Sequence, residues 1–138
     1  MNEFKFHLSL PTSSIALTKK FYIDCLGFEE GRRGVNWVDI NLFGNQITFT
    51  ATGDFEFNAK KYAFEDKILP SFHFGILLDN KAWDKVFVLT KYEDFMWMNS
   101  STFLKDKVGE HRSFFIEDPN GYIIEFKTFS KPGEVFST

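Results

Sequence analysis

Two histidines and one glutamate stand at positions where a strand would turn each of them away from its apolar neighbours. His7 lies in the alternating segment 6–10, and His73 lies in a second alternating segment, 72–77. Because successive side chains of a strand point to opposite faces, each histidine opposes the apolar side chains beside it. Glu125 is placed in the same way on a late strand. A twisted sheet that curls around this polar face would bring the three side chains together.

Two imidazoles and one carboxylate are the ligands of a facial triad, which leaves open positions on an octahedral metal ion. These ligands suit Fe(II), Mn(II), Ni(II), Co(II) and Zn(II), and ligand type alone does not choose among these ions. A lone strand histidine is usually a surface residue, but two at matched places in two matched halves favour a site. We therefore predict that His7, His73 and Glu125 bind one divalent metal ion.

The chain repeats one build twice, and such a repeat defines the fold. Each half reads as a strand, a helix and about three further strands, which predicts an α+β fold of two βαβββ modules. Module one covers about residues 1–52 and module two about residues 71–130, within a single domain of residues 1–138. The segment 53–70 joins the modules and shows no clear hydrophobic period. A loop of this length without secondary structure of its own is uncommon in a small domain. It would form a lid, wrap the other module or contact a second subunit.

The two helices are predicted from caps and from helical spacing. The first begins after the cap candidates 11–14 and ends at Gly27, a residue type typical of the position after a helix. The second begins at Asp79 or Asn80, either of which can cap a helix. Strands are predicted where the apolar period falls to two, at 36–42, 46–50, 95–98, 103–104, 113–117 and 122–127.

The two hairpin turns align the modules residue by residue. Glu125 lies four residues after Gly121, and Thr48 lies four residues after Gly44. If the modules are related by pseudo-symmetry, Thr48 stands where a fourth ligand would be, and its neutral hydroxyl is a poor metal ligand. We therefore predict three protein ligands, with room for water or a bidentate substrate. Gln46 lies on the same strand face and is the alternative, as a neutral fourth ligand.

Further polar side chains are predicted to line the site. Trp37 and Asp39 share one strand face. Gln46 and Thr48 share a face of the next strand, and we predict that all four residues bind substrate. Asp39 would also hydrogen-bond a ligand histidine. His111 stands at a polar entry to a strand and is interpreted either as an exposed loop residue or as a catalytic acid–base group.

Composition excludes several classes of function. The 138 residues carry a net charge of −3, and their cationic residues form separated pairs rather than a cluster, which argues against a nucleic-acid partner. No apolar run is long enough to span a membrane, and the first residues lack the apolar stretch of a secretion signal. The single cysteine, Cys25, fits a reducing cytoplasm and is expected in the core.

The order of these motifs resembles the vicinal oxygen chelate superfamily, which includes glyoxalase I, extradiol dioxygenases, methylmalonyl-CoA epimerase and the fosfomycin and bleomycin resistance proteins. The resemblance covers nearly the whole chain, and its specificity lies in the order and spacing of short fragments. These are Phe6–Leu8, Phe21–Tyr22, Leu26–Phe28, Trp37–Asp39, Phe43–Gln46, Phe72–Gly75, Phe115–Gly121 and Ile124–Lys127. Asn45 stands where many small members of the superfamily have a histidine.

This resemblance implies a cupped, eight-stranded mixed sheet with helices on its outer face. It also implies a metal ion bound by the residues matching His7, His73 and Glu125, substrates that chelate through two neighbouring oxygens, and a homodimer. Glyoxalase I uses four protein ligands, so Thr48 in the fourth place argues against that activity. Extradiol dioxygenases use the set of two histidines and one glutamate that is present here.

These observations favour a metal-dependent enzyme that acts on a small molecule, with dioxygenase-like chemistry slightly ahead of isomerase or lyase chemistry. In each case the metal would stabilise negative charge that develops on the substrate. A thiol transferase of the fosfomycin type shares the triad and is a further alternative. A metal-free binding protein of the antibiotic-resistance type is the alternative outside enzymes, and it would not need the complete triad.

Overall fold

The computed structural model describes residues 4–138, which divide into two compact units. Unit 1 extends to Phe57 and includes Pro119–Gly121, and unit 2 consists of Asn58–Asp118 and Tyr122–Thr138. Among the described residues, ten strands form three sheets, and each unit contains one βαβββ module. The predicted α+β fold of two such modules is therefore confirmed. The joining of the two four-stranded sheets into one cup remains a prediction.

Unit 1 is a four-stranded mixed sheet with one helical segment. Its sheet has the order β1-β4-β3-β2, in which β1 runs parallel to β4 and the other pairs are antiparallel. The elements are β1 His7–Thr12, α1 Ile15–Lys19, a π-helical turn Lys20–Cys25, β2 Glu29–Arg33, β3 Trp37–Leu42 and β4 Asn45–Ala51. The sequence pattern located each of these except β2.

The helical segment of unit 1 begins and ends as predicted. The Ser14 side chain caps α1 by accepting a hydrogen bond from the backbone N–H of Leu17 at 3.1 Å. Gly27 follows the π-helical turn with a φ of 77°, a conformation that favours glycine. Tyr22 is buried, and its ring lies 5.0 Å from that of Phe49 on β4, so the helix closes one face of the sheet.

One prediction about burial in unit 1 is wrong. Cys25, at the end of the π-helical turn, is exposed rather than in the core. The apolar face opposite His7 is only partly covered, since Phe4 and Phe6 are 94% and 63% exposed and both precede β1. Farther along β1, Leu10 and Thr12 on that face are buried.

Unit 2 contains a second four-stranded mixed sheet and a separate hairpin. The sheet has the order β7-β10-β9-β8, with β7 parallel to β10. The elements are β5 Lys61–Phe64, β6 Lys67–Pro70, β7 Phe74–Leu77, α2 Asn80–Thr90, β8 Met96–Phe103, β9 His111–Glu117, β10 Ile123–Phe129 and a 3₁₀ turn Pro132–Glu134. No helix in residues 4–138 is long and apolar enough to cross a membrane.

Helix α2 packs on one face of this sheet. Asp79 is its N-cap and accepts a hydrogen bond from the Ala82 N–H at 2.8 Å, which confirms the predicted start. Trp83 is 1% exposed and donates its indole N–H to the Phe126 carbonyl at 2.8 Å. Its ring also stacks on Phe87 and meets Phe114 edge to face. This aromatic layer ties the helix to β9 and β10.

The opposite face of the unit 2 sheet is also covered. Leu69 of β6 belongs to a buried cluster with Phe103, Phe115 and Ile123. Phe64 of β5 packs against this cluster, and its ring lies 5.8 Å from that of Phe103. Part of the connecting segment therefore forms the β5–β6 hairpin and adds a second layer to unit 2, a structure that its sequence did not predict.

Candidate functional site

Unit 2 brings two of the predicted ligands together. Nε2 of His73 lies 3.1 Å from Oε1 of Glu125. Strand β10 holds Glu125 beside Gly75 of β7 in parallel register, and His73 stands directly before β7. The two side chains are only 22% and 10% exposed, so the pair is largely withdrawn from solvent.

A hydrogen bond to the Pro70 carbonyl fixes the orientation of the His73 ring. Its Nδ1 lies 3.0 Å from the carbonyl oxygen of Pro70. A carbonyl can only accept, so Nδ1 carries a proton and donates it to this bond. Nε2 is then the atom that faces Glu125, where it donates a proton or presents a lone pair to a cation. A backbone acceptor behind one ring nitrogen is the usual support for a metal-ligating histidine.

The carboxylate of Glu125 has several partners. Ser113 donates its hydroxyl to Oε2 at 2.5 Å, and Nζ of Lys127 lies 3.7 Å from Oε1. Burial alone would raise the pKa of Glu125, but the hydrogen bond from His73, the charge of Lys127 and the Ser113 hydroxyl together lower it. The group is therefore an anion at neutral pH although it is buried.

The contact between His73 and Glu125 shifts the pKa of His73 in the opposite direction, upward. The hydrogen bond to Glu125 raises the pKa of His73, and the Pro70 carbonyl adds to this effect against the opposing effect of burial. With a proton on each ring nitrogen, His73 and Glu125 form an ion pair. A cation that binds between them would replace the proton on Nε2.

Backbone packing leaves no freedom at this point of the sheet. A β-carbon added to Gly75 would lie 1.8 Å from the carbonyl oxygen of Glu125. No side chain fits at that distance, so only glycine permits β7 to approach β10 in this register. Gly75 thus sets the position of Glu125 through the main chain.

His111 lies in a cavity of about 200 Å³ within unit 2. Its ring is held between Phe103 and Phe129, with centroids 5.4 Å and 5.2 Å away, and its Nδ1 lies 2.8 Å from the carbonyl of Gly109. The residue is buried at the start of β9, so the interpretation as an exposed loop residue is wrong. In residues 4–138, Nε2 of His111 has no hydrogen-bond partner, and its acid–base role remains a prediction.

Unit 1 holds the predicted substrate-binding residues in a separate cluster. Asp39 is 5% exposed and accepts hydrogen bonds from Thr48 at 2.6 Å and from Gln46 at 2.9 Å. Nε of Arg32 lies 3.6 Å from the same carboxylate, and its guanidinium lies 5.8 Å from the centre of the Trp37 ring. Burial raises the pKa of Asp39, but these hydrogen bonds and the Arg32 charge lower it overall.

His7 also belongs to unit 1. It is exposed on β1 and stands beside Gln46 of β4 in parallel register. Among residues 4–138, no group of three or more His, Cys, Asp or Glu side chains is arranged to hold a metal ion. The His73–Glu125 pair fits the nitrogen and oxygen donors of a divalent ion, and the third ligand remains a prediction.

Three groups that support the pair were missed by the sequence reasoning. Lys127 lies two residues after Glu125 on β10, so strand periodicity alone places it on the same face and could have found it. Ser113 pairs with Lys127 across β9 and β10, a neighbour that only the register reveals. The Pro70 carbonyl has no sequence signal, because any residue supplies a carbonyl.

The sequence profile of the glyoxalase/bleomycin resistance protein/dioxygenase superfamily matches residues 6–126. The chain belongs to this superfamily. That match covers both modules, including all of the predicted metal ligands. A comparison with curated protein sequences finds no match.

Solved structures agree on the fold. A member of the same superfamily from Alicyclobacillus acidocaldarius is 24% identical, with 96% of each chain covered and a TM-score of 0.82. A fosfomycin resistance protein from Listeria monocytogenes is 14% identical, with 98% of this chain and all of the other covered and a TM-score of 0.69. An integron cassette protein of V. cholerae is 19% identical, with 94% and 98% covered and a TM-score of 0.61. At these identities the likeness shows the superfamily fold alone.

Proposed function

We propose that this superfamily member is a metal-dependent enzyme acting on a small molecule that chelates through two neighbouring oxygens. The proposed ligands are His7, His73 and Glu125, and the ion is one of Fe(II), Mn(II), Ni(II), Co(II) or Zn(II). One observation carries the proposal: the Pro70 carbonyl fixes Nδ1 of His73 as a donor and aims Nε2 at the Glu125 carboxylate at 3.1 Å. A nitrogen and an anionic oxygen held in this way suit a divalent cation.

Such an ion would supply Lewis-acid stabilisation of negative charge on the bound oxygens. The residues of unit 2 would do the rest. Ser113 keeps the Glu125 carboxylate oriented, and Nε2 of His111 offers a proton acceptor or donor on the wall of the same cavity. Proton transfer to or from the chelated substrate is the role we assign to His111.

The number of protein ligands favours dioxygenase-like chemistry over isomerase or lyase chemistry, whereas a thiol transferase of the fosfomycin type would share the same triad and is a further alternative. Thr48 gives its hydroxyl proton to Asp39, and Gln46 gives an amide proton to the same carboxylate. Both side chains are thus engaged within unit 1, which supports a set of three protein ligands and open positions for substrate and a co-substrate. In this proposal Trp37 and the Asp39 cluster bind the substrate.

Metal analysis of protein purified without a histidine tag tests the proposal. The wild-type protein should bind about one equivalent of a transition metal after reconstitution. Glu125→Gln should weaken metal affinity at least about tenfold, because it removes a ligand charge. Glu117→Gln, at an exposed position of β9, is the matched control and should retain the metal. Equal retention by the Glu125 variant would show that the ligand assignment is wrong.

We further infer a homodimer in a reducing cytoplasm. The exposed rings of Phe4 and Phe6 provide apolar surface that a second copy could cover, and Cys25 is an exposed free thiol. Light scattering should give twice the mass of one chain. Replacing both rings with serine should give the mass of a single chain if the inference is correct.

A metal-free binding protein is the second candidate. The observation that favours it is that His73, Ser113 and Lys127 already satisfy Glu125 without a cation. The same metal analysis separates the two functions. Less than about a tenth of an equivalent of any transition metal, even after reconstitution, would favour the binding protein, because a complete triad binds metal tightly.

A further inference from the structure

The cavity of unit 2 has two kinds of wall, and we name it the aromatic pocket. Its apolar side is formed by Tyr62, Phe64, Leu69 and Phe103, to which the β5–β6 hairpin contributes the first three. Its polar side is formed by His73, His111, Glu125 and Lys127. A ligand in the pocket would therefore meet rings on one side and charged groups on the other.

The size of the aromatic pocket restricts its ligand. Its volume of about 200 Å³ is below the range of pockets that bind drug-sized molecules. The rings of Phe64 and Phe103 both line the cavity, with centroids 5.8 Å apart and planes tilted by 46°. Aromatic rings pack well against such surfaces in offset or edge-to-face geometry. The pocket suits one small planar ring.

Lys127 gives this pocket a cation that is only partly used. Its Nζ lies 3.7 Å from Oε1 of Glu125, which is longer than an N–H···O hydrogen bond. An ammonium group has three donors, and the side chain is 27% exposed, so it can donate to a ligand while it stays near Glu125. Among the described residues of the pocket wall, the only other charge that does not depend on histidine protonation is the Glu125 carboxylate.

The partners of Glu125 determine which sign of ligand Lys127 favours. The carboxylate of Glu125 already accepts a hydrogen bond from Ser113 and lies 3.1 Å from Nε2 of His73. The Lys127 ammonium, at 3.7 Å, is therefore not the main partner of this carboxylate and can pair with an anionic ligand, whereas a cationic ligand would be repelled by it. The ring wall and this ammonium group line the same small cavity.

We propose that the aromatic pocket binds a planar aromatic carboxylate, with the carboxylate on Lys127 and the ring against Phe64 and Phe103. This inference rests on the proposed function, because it names the substrate class of that same site. Lys127 is the residue that determines specificity for the acid. Tyr62, which is 42% exposed on β5, completes the ring wall at the opening.

Benzoate is the probe that tests this inference, and it is titrated into chelator-treated, metal-free protein with binding followed by NMR. Benzamide has the same planar size without the charge, and cyclohexanecarboxylate has the charge without the planar ring. Benzoate should bind at least about tenfold more tightly than benzamide and about threefold more tightly than cyclohexanecarboxylate. Equal affinity for benzoate and benzamide, or no binding of benzoate at all, would overturn the inference.

Variants of the lysine locate the binding. Lys127→Met should weaken benzoate affinity at least about tenfold, whereas Lys127→Arg should stay within about threefold of the wild type. Lys85→Met, at an exposed position of α2, is the matched control and should bind like the wild type. An unchanged affinity in a folded Lys127→Met protein would also overturn the inference.

The benzoate titration and the metal analysis test separate claims, so either result can be negative without the other. Because the protein is free of metal, benzoate binding with no metal uptake by the wild type would overturn the enzyme proposal and keep the pocket as a binding site for acids. Metal uptake without benzoate binding would overturn the substrate class alone. The two readouts therefore distinguish the two failures.

Discussion

The parallel strand pairs of the two units have the same register but differ in the residues at equivalent positions. On β1 of unit 1, the residue two positions after His7 is Ser9, which pairs with Thr48. On β7 of unit 2, the residue two positions after His73 is Gly75, which pairs with Glu125. The modules are thus equivalent at single-residue level, and a threonine stands where the other unit has its carboxylate.

The difference extends to the neighbouring strands. Across the antiparallel pair, Thr48 faces Asp39, whereas Glu125 faces Phe115. The buried carboxylate of unit 1 is therefore Asp39 on β3, which accepts a hydrogen bond from the Thr48 hydroxyl. Unit 2 has its carboxylate on β10 and surrounds it with a histidine, a lysine and an aromatic cluster. The same fold supports a hydrogen-bonded carboxylate cluster in one unit and the His73–Glu125 pair with its adjoining cavity in the other.

The close approach of β7 and β10 should give the largest difference between the units. Gly75→Ala would force a β-carbon to within 1.8 Å of the Glu125 carbonyl, so we expect unfolding free energy to fall by about 3 kcal/mol. Ser9→Ala, the equivalent change in unit 1, should stay within about 0.5 kcal/mol because Ser9 is exposed. Chemical denaturation measures both. Equal losses would show that the two parallel strand pairs are packed alike.

Much of the fold could be predicted from the sequence because local signals were strong. Ser14 and Asp79 cap the helices as their residue types indicate, and the alternating pattern found β3 and β4. The β5–β6 hairpin was missed because its strands are only four residues long and its stability comes from packing on the far side of the sheet.

In the candidate site, too, some residues could be predicted from local patterns and others could not. His73 and Glu125 were predicted from side-chain alternation, and the structure places them in contact. Their supports were not predictable, since the Ser113 hydroxyl and the Pro70 carbonyl reach the pair through strand register and a turn. The exposure of Phe4 and Phe6 was also unpredictable, because a periodic pattern gives a face and not what covers it.

Giving unit 1 the carboxylate of unit 2 should show how far the units have diverged. Thr48→Glu places a second carboxylate beside buried Asp39 and removes a hydrogen bond, so we expect a loss of about 2 kcal/mol near neutral pH. Two adjacent carboxylates raise the pKa of one of them above its unfolded value. Stability is then present at low pH and lost as the pH rises through that raised pKa.

The loss in Thr48→Glu should therefore be larger at about pH 8 than at about pH 4.5, as measured by urea denaturation at both values. Thr50→Glu, on the same face of β4 but paired with Trp37, is the matched control and should show little change between the two. A loss in Thr48→Glu that does not depend on pH would mean that the new carboxylate avoids Asp39.

The smallest effect concerns the pH dependence of the His73–Glu125 pair in metal-free protein. The hydrogen bond to Glu125 raises the pKa of His73 above 6.5, so its stabilisation is complete below 6.5 and is lost as the pH rises through the raised value. The pKa of Glu125 is lowered below 4.5, so its own contribution is lost only as the pH falls through that lower value. The pair is strongest between these two limits.

We therefore expect His73→Gln to lose about 1 kcal/mol at about pH 5.5 and less at about pH 8.5. Asp39→Asn in unit 1 should lose the same amount at both values, because the pKa of Asp39 is lowered below 3.8 and its contribution is present throughout this range. Urea denaturation of the two chelator-treated variants measures the comparison. A flat profile for His73→Gln would mean that His73 is not protonated beside Glu125, and that Nε2 faces the carboxylate only when a cation lies between them.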